Sequence, residues 1–189
     1  DEVQLTATAL DARTALAGAN VPASTSPTRR LRVISESQLV EQVRAQLAGV
    51  RDSAKKLESE QRELGSDREA ALGDTQIARS LAQRQEALLG RMKPLQQTLS
   101  QLQQRVARNR LDDPTLQGVL EDGLTLSQEA AQAASEATRQ LSRAAEQTDP
   151  SLREPVEVAQ RETELALSAL VDALAQGDDD WTVRRSLEQ

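Results

Sequence analysis

Serine and lysine are the residue types in this sequence that could pair as a nucleophile and a base. The chain has no histidine and no cysteine, so it lacks the most common general base and the thiolate nucleophile. Lys55, Lys56 and Lys93 could in principle activate a serine, but they occupy positions typical of a solvated helix face. We therefore expect no catalytic dyad.

Paired carboxylates are the other arrangement that could do acid–base chemistry. Glu58 with Glu60, and Glu162 with Glu164, have the spacing of an ordinary charged helix face. The aspartates at residues 178–180 lack the alternating ligands and the later glutamate of a calcium-binding loop, so they are better explained as a helix N-cap. The sequence thus predicts no enzyme, no metal site, no cofactor and no small-molecule substrate.

Composition limits the classes of partner. Hydrophobic residues make up 38% of the chain and aromatic residues 1%, so a wide globular core is hard to build. The net charge of −7 disfavours nucleic acid, because phosphates bind basic surfaces, and it disfavours an anionic membrane. No run approaches the ~20 apolar residues that insert across a bilayer. The partner classes that the composition does not disfavour are other proteins and further copies of this chain, bound through the helix seams.

The first 34 residues differ from the rest. Residues 3–10 alternate with period two and are rich in threonine, which predicts a half-buried strand. A loop dense in Gly, Asn, Pro and Ser follows at residues 18–28, and residues 30–34 read as a second strand. Two strands alone are marginally stable in water. The segment at 1–34 is therefore either a partly disordered β-strand arm or the last strands of a larger β-domain.

Heptad repeats of apolar residues predict a mainly α fold after residue 34. Apolar residues recur every three or four positions, which is the a/d stripe of helices that pack on other helices. Short connections favour each helix folding back on its predecessor. We therefore predict an antiparallel four-helix bundle, or segmented coiled coil, over residues 35–177. The first two stripes are Val40, Val43, Leu47, Val50, Ala54, Leu57 and Leu64, interrupted by Gln61, and Ala78, Leu81, Leu88, Met92, Leu95, Leu99, Leu102 and Val106, interrupted by Gln85.

Capping signals set the predicted helix ends. Ser35 with Gln38 forms a capping box, and Gly65 can take the left-handed conformation that ends the first helix. Asp-Pro pairs at 113–114 and 149–150 start the third and fourth helices, with Pro155 complicating the start of the fourth. Pro94 predicts a kink inside the second helix. The predicted helices cover about 36–64, 75–109, 114–148 and 150–176, with a short helical turn at 66–69.

Small residues on the stripe of the third predicted helix make that helix a candidate interaction surface. The third stripe is Leu116, Leu120, Gly123, Ser127, Ala130, Ala134, Ala137, Leu141 and Ala144, and the fourth is Val156, Ala159, Thr163, Ala166, Leu167, Leu170 and Leu174. They allow the backbones of neighbouring helices to approach below the usual ~8–10 Å between axes. Alanine also favours helix by itself, which is the simpler explanation. The candidate residues are Gly123, Ala130, Ala134 and Ala137.

The C-terminal segment is predicted to be a separate element. Gly177 and the three aspartates after it should end the fourth helix, so residues 178–189 read as the start of a further helix. Trp181 opens that helix. It is either a docking anchor for a partner or a side chain that packs against a neighbouring helix end.

The junction between the strands and the first helix resembles one family. The run Val3-Gln4-Leu5-Thr6-Ala7-Thr8-Ala9-Leu10-Asp11, then Ser26-Pro27 and Leu31-Arg32-Val33-Ile34-Ser35, is similar to the end of an Ig-like domain that enters a long helical region. Large, membrane-anchored bacterial envelope proteins have this arrangement. The runs at 60–64 and 81–86 resemble their coiled-coil helices. The resemblance implies an extracytoplasmic location, in the periplasm or cell envelope, an upstream membrane anchor and no catalytic residues.

Two functions remain open from the sequence. The first is a non-catalytic structural or interaction module, a stiff helical spacer or scaffold segment that sets a distance and presents charged faces. The alternative is a signalling or sensor module in which a weakly packed alanine seam slides between two packings.

Overall fold

Short antiparallel strand pairs form in the N-terminal part of the chain, as the alternating pattern predicts, but the expected half-burial is wrong, because Val3 and Leu5 are 42% and 52% exposed. The computed structural model describes residues 2–9, 24–147 and 149–187. In the first of two compact units, residues 1–41, Val3 lies opposite Leu31 and Thr8 lies opposite Thr25. Much of the predicted loop at 18–28 falls outside the described residues. The strands are β1 (Glu2–Leu5), β2 (Thr8–Ala9), β3 (Ser24–Thr25) and β4 (Arg29–Arg32), with β1 paired to β4 and β2 to β3.

Four long helices and one short helix make up the rest of the described chain. The long helices contain 31, 34, 33 and 35 residues, so their lengths are about 46–53 Å at 1.5 Å per residue. The second long helix continues through Pro94. The helices are α1 (Glu36–Ser66), α2 (Arg68–Ala71), α3 (Thr75–Arg108), α4 (Pro114–Glu146) and α5 (Arg153–Leu187), and a 3₁₀ turn (Pro150–Leu152) precedes α5.

Side-chain caps start these helices where the sequence predicts. The Gln38 backbone N–H donates to Ser35 Oγ at 3.2 Å, and the Ser35 N–H donates back to Gln38 Oε1 at 3.2 Å, which confirms the capping box. Asp113 Oδ1 accepts from the Leu116 N–H at 3.0 Å and confirms the Asp-Pro start of α4. At the Asp149-Pro150 pair, hydrogen bonds from the backbone N–H and the hydroxyl of Ser151 lower the pKa of Asp149.

The left-handed cap predicted at Gly65 for the end of the first helix is not formed, and a left-handed residue ends another helix, α3, instead. Gly65 is inside α1, which runs on to Ser66. Arg110, after α3, has the left-handed φ of 52° instead. Its N–H donates to the Ala107 carbonyl at 3.1 Å and the next N–H, of Leu111, donates to the Val106 carbonyl at 3.2 Å. This is a Schellman motif, and burial of Leu111 holds an arginine in a conformation that glycine usually adopts.

The predicted heptad stripes line the core of the second unit, residues 42–189. Nearly all of their apolar residues are buried, and the stripes of α3 and α4 carry no exposed position. α4 packs against both α3 and α5. On α1, Gln61 bonds Gln85 of α3 and the backbone of Gln160 of α5, so α1 lies between those two helices. The four helices therefore form a ring in the order α1, α3, α4, α5, an antiparallel bundle as predicted.

The predicted break after residue 177 does not occur. α5 runs without interruption from Arg153 to Leu187, so residues 178–187 belong to the fourth long helix and are not a separate element. The reason is tertiary packing. Gly177 faces the side chain of Val119 on α4, and Trp181, one turn further, is buried to 3% exposure. Burial of these positions outweighs the weak helix propensity of glycine and aspartate.

Adding a methyl group at Gly177 tests this close contact. An alanine Cβ would lie 2.9 Å from Cγ1 of Val119 and nearer still to Cγ2. We expect Gly177→Ala to lower the free energy of unfolding by about 1–3 kcal/mol, although alanine gains about 1 kcal/mol in helix propensity. Gly49→Ala on α1, where nothing lies within 4 Å, is the matched control and should be neutral or stabilising. Urea unfolding followed by circular dichroism measures both, and equal stabilisation of the two variants would contradict the contact.

Candidate functional site

The lysines and carboxylates with a possible catalytic role are dispersed over three helices, and Glu58 among them is buried. Lys55 and Lys56 on α1 and Lys93 on α3 are exposed. The acid pairs take part in ion pairs between and within helices. Glu58 pairs with Arg62 at 2.5 Å, Arg62 also approaches Glu164 at 3.4 Å, and Glu60 pairs with Arg91. Among the described residues, no group of three or more His, Cys, Asp or Glu side chains could hold a metal ion.

The small residues of the third stripe lie inside the chain's own core. Ala130, Ala134 and Ala137 are 0% exposed, and Gly123 is buried as well. A Cβ at Gly123 would lie 3.3 Å from Leu174 of α5 and 3.5 Å from Leu99 of α3. These residues are therefore buried within the chain, and the close approach of α4 to its neighbours is seen at Gly123. Their contact with a second chain stays a prediction.

Trp181 closes one end of the bundle. Its indole N–H donates to Asp113 Oδ2, while Oδ1 of the same carboxylate caps α4 through the N–H of Leu116. One carboxylate thus joins the last turns of α5 to the first turn of α4. Of the two interpretations of Trp181, packing against a neighbouring helix end matches this geometry.

The polar interruptions of the stripes meet inside the bundle, nearer to the end where α1 finishes and α5 begins. Gln61 of α1, Gln85 of α3 and Gln160 of α5 are 1%, 0% and 2% exposed. Gln85 Nε2 donates to Gln61 Oε1 at 2.8 Å, and Gln61 Nε2 donates to the main-chain carbonyl oxygen of Gln160 at 3.5 Å. We call these three residues the glutamine layer. The register of α4 against α5, set by the close approaches of Gly123 to Leu174 and of Gly177 to Val119, places the small Ala137 at this level.

The glutamine layer is only partly satisfied by the protein itself. Gln85 Oε1 and both amide atoms of Gln160 have no hydrogen-bond partner. An unpaired buried polar atom costs about 1–3 kcal/mol. In helical bundles, such polar positions fix the register and the choice of helix partners at the expense of stability. The layer can therefore select one arrangement of α1, α3 and α5, and its unpaired atoms allow a second pattern of amide bonds.

Sequence reasoning found two of the three members of the layer. Gln61 and Gln85 stand out because each replaces an apolar residue in an otherwise apolar stripe. Gln160 was missed because it follows Ala159, which already fills the stripe position. The available signal was its neighbour on the same face, Thr163, which is also buried and donates to the Ala159 carbonyl at 2.8 Å.

Comparison of this chain with known protein families, with curated proteins and with solved structures finds no match. Among the described residues, none of the helices is long and apolar enough to cross a membrane. The assignment of function therefore rests on the bundle itself.

Replacing glutamines of the layer singly and together tests its energetics. We expect Gln61→Leu alone to lower the free energy of unfolding by about 1–3 kcal/mol, because the Gln85 amide then loses its buried partner. The double variant Gln61→Leu with Gln85→Leu should instead raise it by about 1–3 kcal/mol, because an unpaired buried oxygen is removed. Urea unfolding of both variants gives the two values. A double variant less stable than the single one would contradict the pairing.

Proposed function

We propose that this chain is a non-catalytic scaffold module that presents long charged helix faces to other proteins. The observation that carries the proposal is that four apolar stripes bury one another within one chain. The outer faces then hold exposed charge and are available for partners. The positions of the helix ends favour a scaffold over a spacer that lies in line with the rest of the chain.

In the unit that spans residues 42–189, the first turn of α1 and the last turns of α5 lie at the same end of the bundle. Gln42 accepts a hydrogen bond from Arg105, near the end of α3. Trp181 bonds Asp113, directly after the short connection that follows α3. All four residues therefore lie at one end. A bundle entered and left at the same end adds little to the length between its neighbours and projects sideways instead.

Distances between spin labels test this geometry. The chain has no cysteine, so pairs can be introduced cleanly at the exposed positions Ala45, Glu63 and Asp179. Labels at 45 and 179 should lie roughly 10–20 Å apart, since adjacent helix axes are about 8–10 Å apart. Labels at 45 and 63, within α1, should lie about 27 Å apart and serve as the control. A separation of 45 and 179 beyond about 40 Å, near a full helix length, would overturn the scaffold geometry.

A sensor module is the second candidate, and the unpaired amides of the glutamine layer favour it. A slide of the alanine-lined α4 against its neighbours would exchange one set of amide bonds for another. Side-chain amide resonances of Gln61, Gln85 and Gln160 would then be doubled or broadened by exchange. Three single, sharp amide pairs would exclude this candidate.

The strand-to-helix junction supports a proposed location in the cell envelope. The support is the resemblance of residues 1–35 to the junctions of bacterial envelope proteins, and the location remains a proposal. Fractionation of cells that make the full-length protein tests it, and recovery in the cytoplasm alone would contradict it.

A further inference from the structure

The sequences of α3 and α5 have net charges of opposite sign. α3 contains six basic residues and one acidic residue, Glu86, whereas α5 contains eight acidic and four basic residues. Both helices pack against α1 and α4, so they occupy opposite corners of the ring. The bundle therefore has a helix with an excess of basic residues and a helix with an excess of acidic residues on opposite sides. Part of this charge is paired within the chain, since Arg91 of α3 pairs with Glu60 of α1 and Glu164 of α5 pairs with Arg62 of α1.

The glutamine layer fixes how these two edges line up. Gln85 and Gln160 both bond Gln61, so they lie at one level along the bundle. α3 and α5 both run antiparallel to α1 and are therefore parallel to each other. When a second copy is placed beside the first with no shift along the helix axis, Gln160 of α5 in one copy lies level with Gln85 of α3 in the other. Any residue of α3 and any residue of α5 whose numbers differ by as much as those of Gln85 and Gln160 are then level as well.

Charges match at this register. Arg79 of one copy is level with Glu154 of the next, and Glu86, the one acid of α3, is level with Arg161. All four side chains are exposed, and none has an ion-pair partner among the described residues. α3 supplies the base in the first pair and the acid in the second. Because the two charged residues of each helix are two turns apart, they lie on the same side of that helix.

Shape and hydrogen-bonding capacity also match at this register. Leu165, which is 61% exposed, is level with Gly90, an exposed position where nothing lies within 4 Å of an added Cβ. Pro94 has no N–H, so the Gly90 carbonyl lacks its usual helical donor. Ser168, one turn beyond Leu165, lies at the level of that carbonyl and can supply a hydroxyl donor. Val158, 46% exposed, extends the apolar line by two turns.

Like charges disfavour the two symmetric alternatives. Over the full helices, contact of α3 with α3 would bring together two helices with an excess of basic residues, and contact of α5 with α5 would bring together two helices with an excess of acidic residues. An antiparallel contact of α3 with α3 could still pair Arg79 with Glu86, but it would not involve Arg161, so the Arg161→Glu variant distinguishes it from the α3-to-α5 contact. A like-charge juxtaposition across an interface costs several kcal/mol. The α3-to-α5 contact is heterologous, and because the two faces lie on opposite sides, each copy can bind two neighbours.

We propose that copies of this chain associate side by side, with α5 of one copy lying parallel on α3 of the next. Arg79 pairs with Glu154, Glu86 pairs with Arg161, and Leu165 covers Gly90. The contact repeats and builds a lateral row of bundles. This assembly rests on the proposed scaffold function, because it names the partner that the charged faces bind.

Sedimentation velocity over a range of protein concentrations tests the association. Wild-type protein should associate at about 0.01 M salt, where the Debye length is about 30 Å, and dissociate at about 1 M, where it is about 3 Å. Glu86→Arg alone and Arg161→Glu alone should each weaken self-association about tenfold or more, since each places like charges opposite one another.

Charge exchange provides the decisive comparison. A mixture of Glu86→Arg protein with Arg161→Glu protein should associate again, because each α3 face then meets an α5 face of opposite charge. The double variant in one chain should recover as well. Glu129→Arg on the exposed face of α4 makes the same change in net charge as Glu86→Arg, away from both faces, and it should leave association unchanged. Circular dichroism checks that every variant keeps its helices.

Four outcomes would overturn the assembly. They are a wild-type protein that stays monomeric at low salt, association independent of salt, single variants that associate like wild type, and a mixture that does not recover. None of them affects the label distances within one chain, so the scaffold geometry is judged separately.

Discussion

Replacement of Trp181 by alanine is expected to lower the free energy of unfolding by about 3–5 kcal/mol, the usual range for removing a buried aromatic side chain. The reason is that Trp181 is the sole aromatic residue of the chain, is 3% exposed and joins α5 to the Asp113 cap of α4. Its loss leaves a void between two helix ends and removes the indole donor. Urea unfolding followed by far-ultraviolet circular dichroism measures the change.

Two further variants separate packing from hydrogen bonding at this position. Trp181→Phe keeps most of the apolar contact and removes the N–H donor, so it should lose less stability than alanine does. Val183→Ala, two residues further on α5 at a side chain that is 59% exposed, is the matched control and should change stability by less than about 0.5 kcal/mol. If Trp181→Ala lost no more than this control, the indole would not be a packing anchor.

Enlargement of Ala134 to leucine is expected to lower the free energy of unfolding by about 1–3 kcal/mol or more, the cost of adding volume to a packed core. Ala134 is 0% exposed on the side of α4 where small residues admit the neighbouring helices. The added carbons would force α4 away from its neighbours. Thermal and urea unfolding give the size of the effect.

The same substitution distinguishes internal packing from a docking role. Ala107→Leu on an exposed face of α3 adds the same atoms without crowding and should be nearly neutral. If the alanine stripe served mainly to bind a partner, Ala134→Leu would leave the isolated chain as stable as this control. A clear loss would show that the stripe first serves the chain's own bundle.

The architecture of the bundle was predictable because its main determinants are local. The apolar stripes and the Asp113 cap identify helices α3 and α4 to within about two residues, the usual uncertainty of helix ends. The sequence did not predict the backbone conformation at Gly177 and Arg110. There the backbone conformation is decided by contacts with Val119 and by burial of Leu111, which are distant or tertiary effects that local propensity does not contain.

The candidate site was predictable only in part, for a related reason. Gln61 and Gln85 are visible as polar residues in apolar stripes. That they meet each other, and that Gln160 joins them, depends on the register between helices. Register follows from how small residues such as Gly123 fit against Leu174, and a single helix pattern does not specify that fit. The match between the outer faces of α3 and α5 depends on the same register.

The order of the helices around the ring has a consequence for the speed of folding. α3 packs on α4 and α4 packs on α5, so most contacts join helices that follow one another in the chain. Such local contacts give a low relative contact order, and helical bundles of this kind fold in microseconds to milliseconds. Closure of α1 on α5, through Gln61 and Gln160, joins residues 99 positions apart and is the slowest contact to find by diffusion. The contact that closes the ring between α1 and α5 is thus expected to form last, after the consecutive helices have paired.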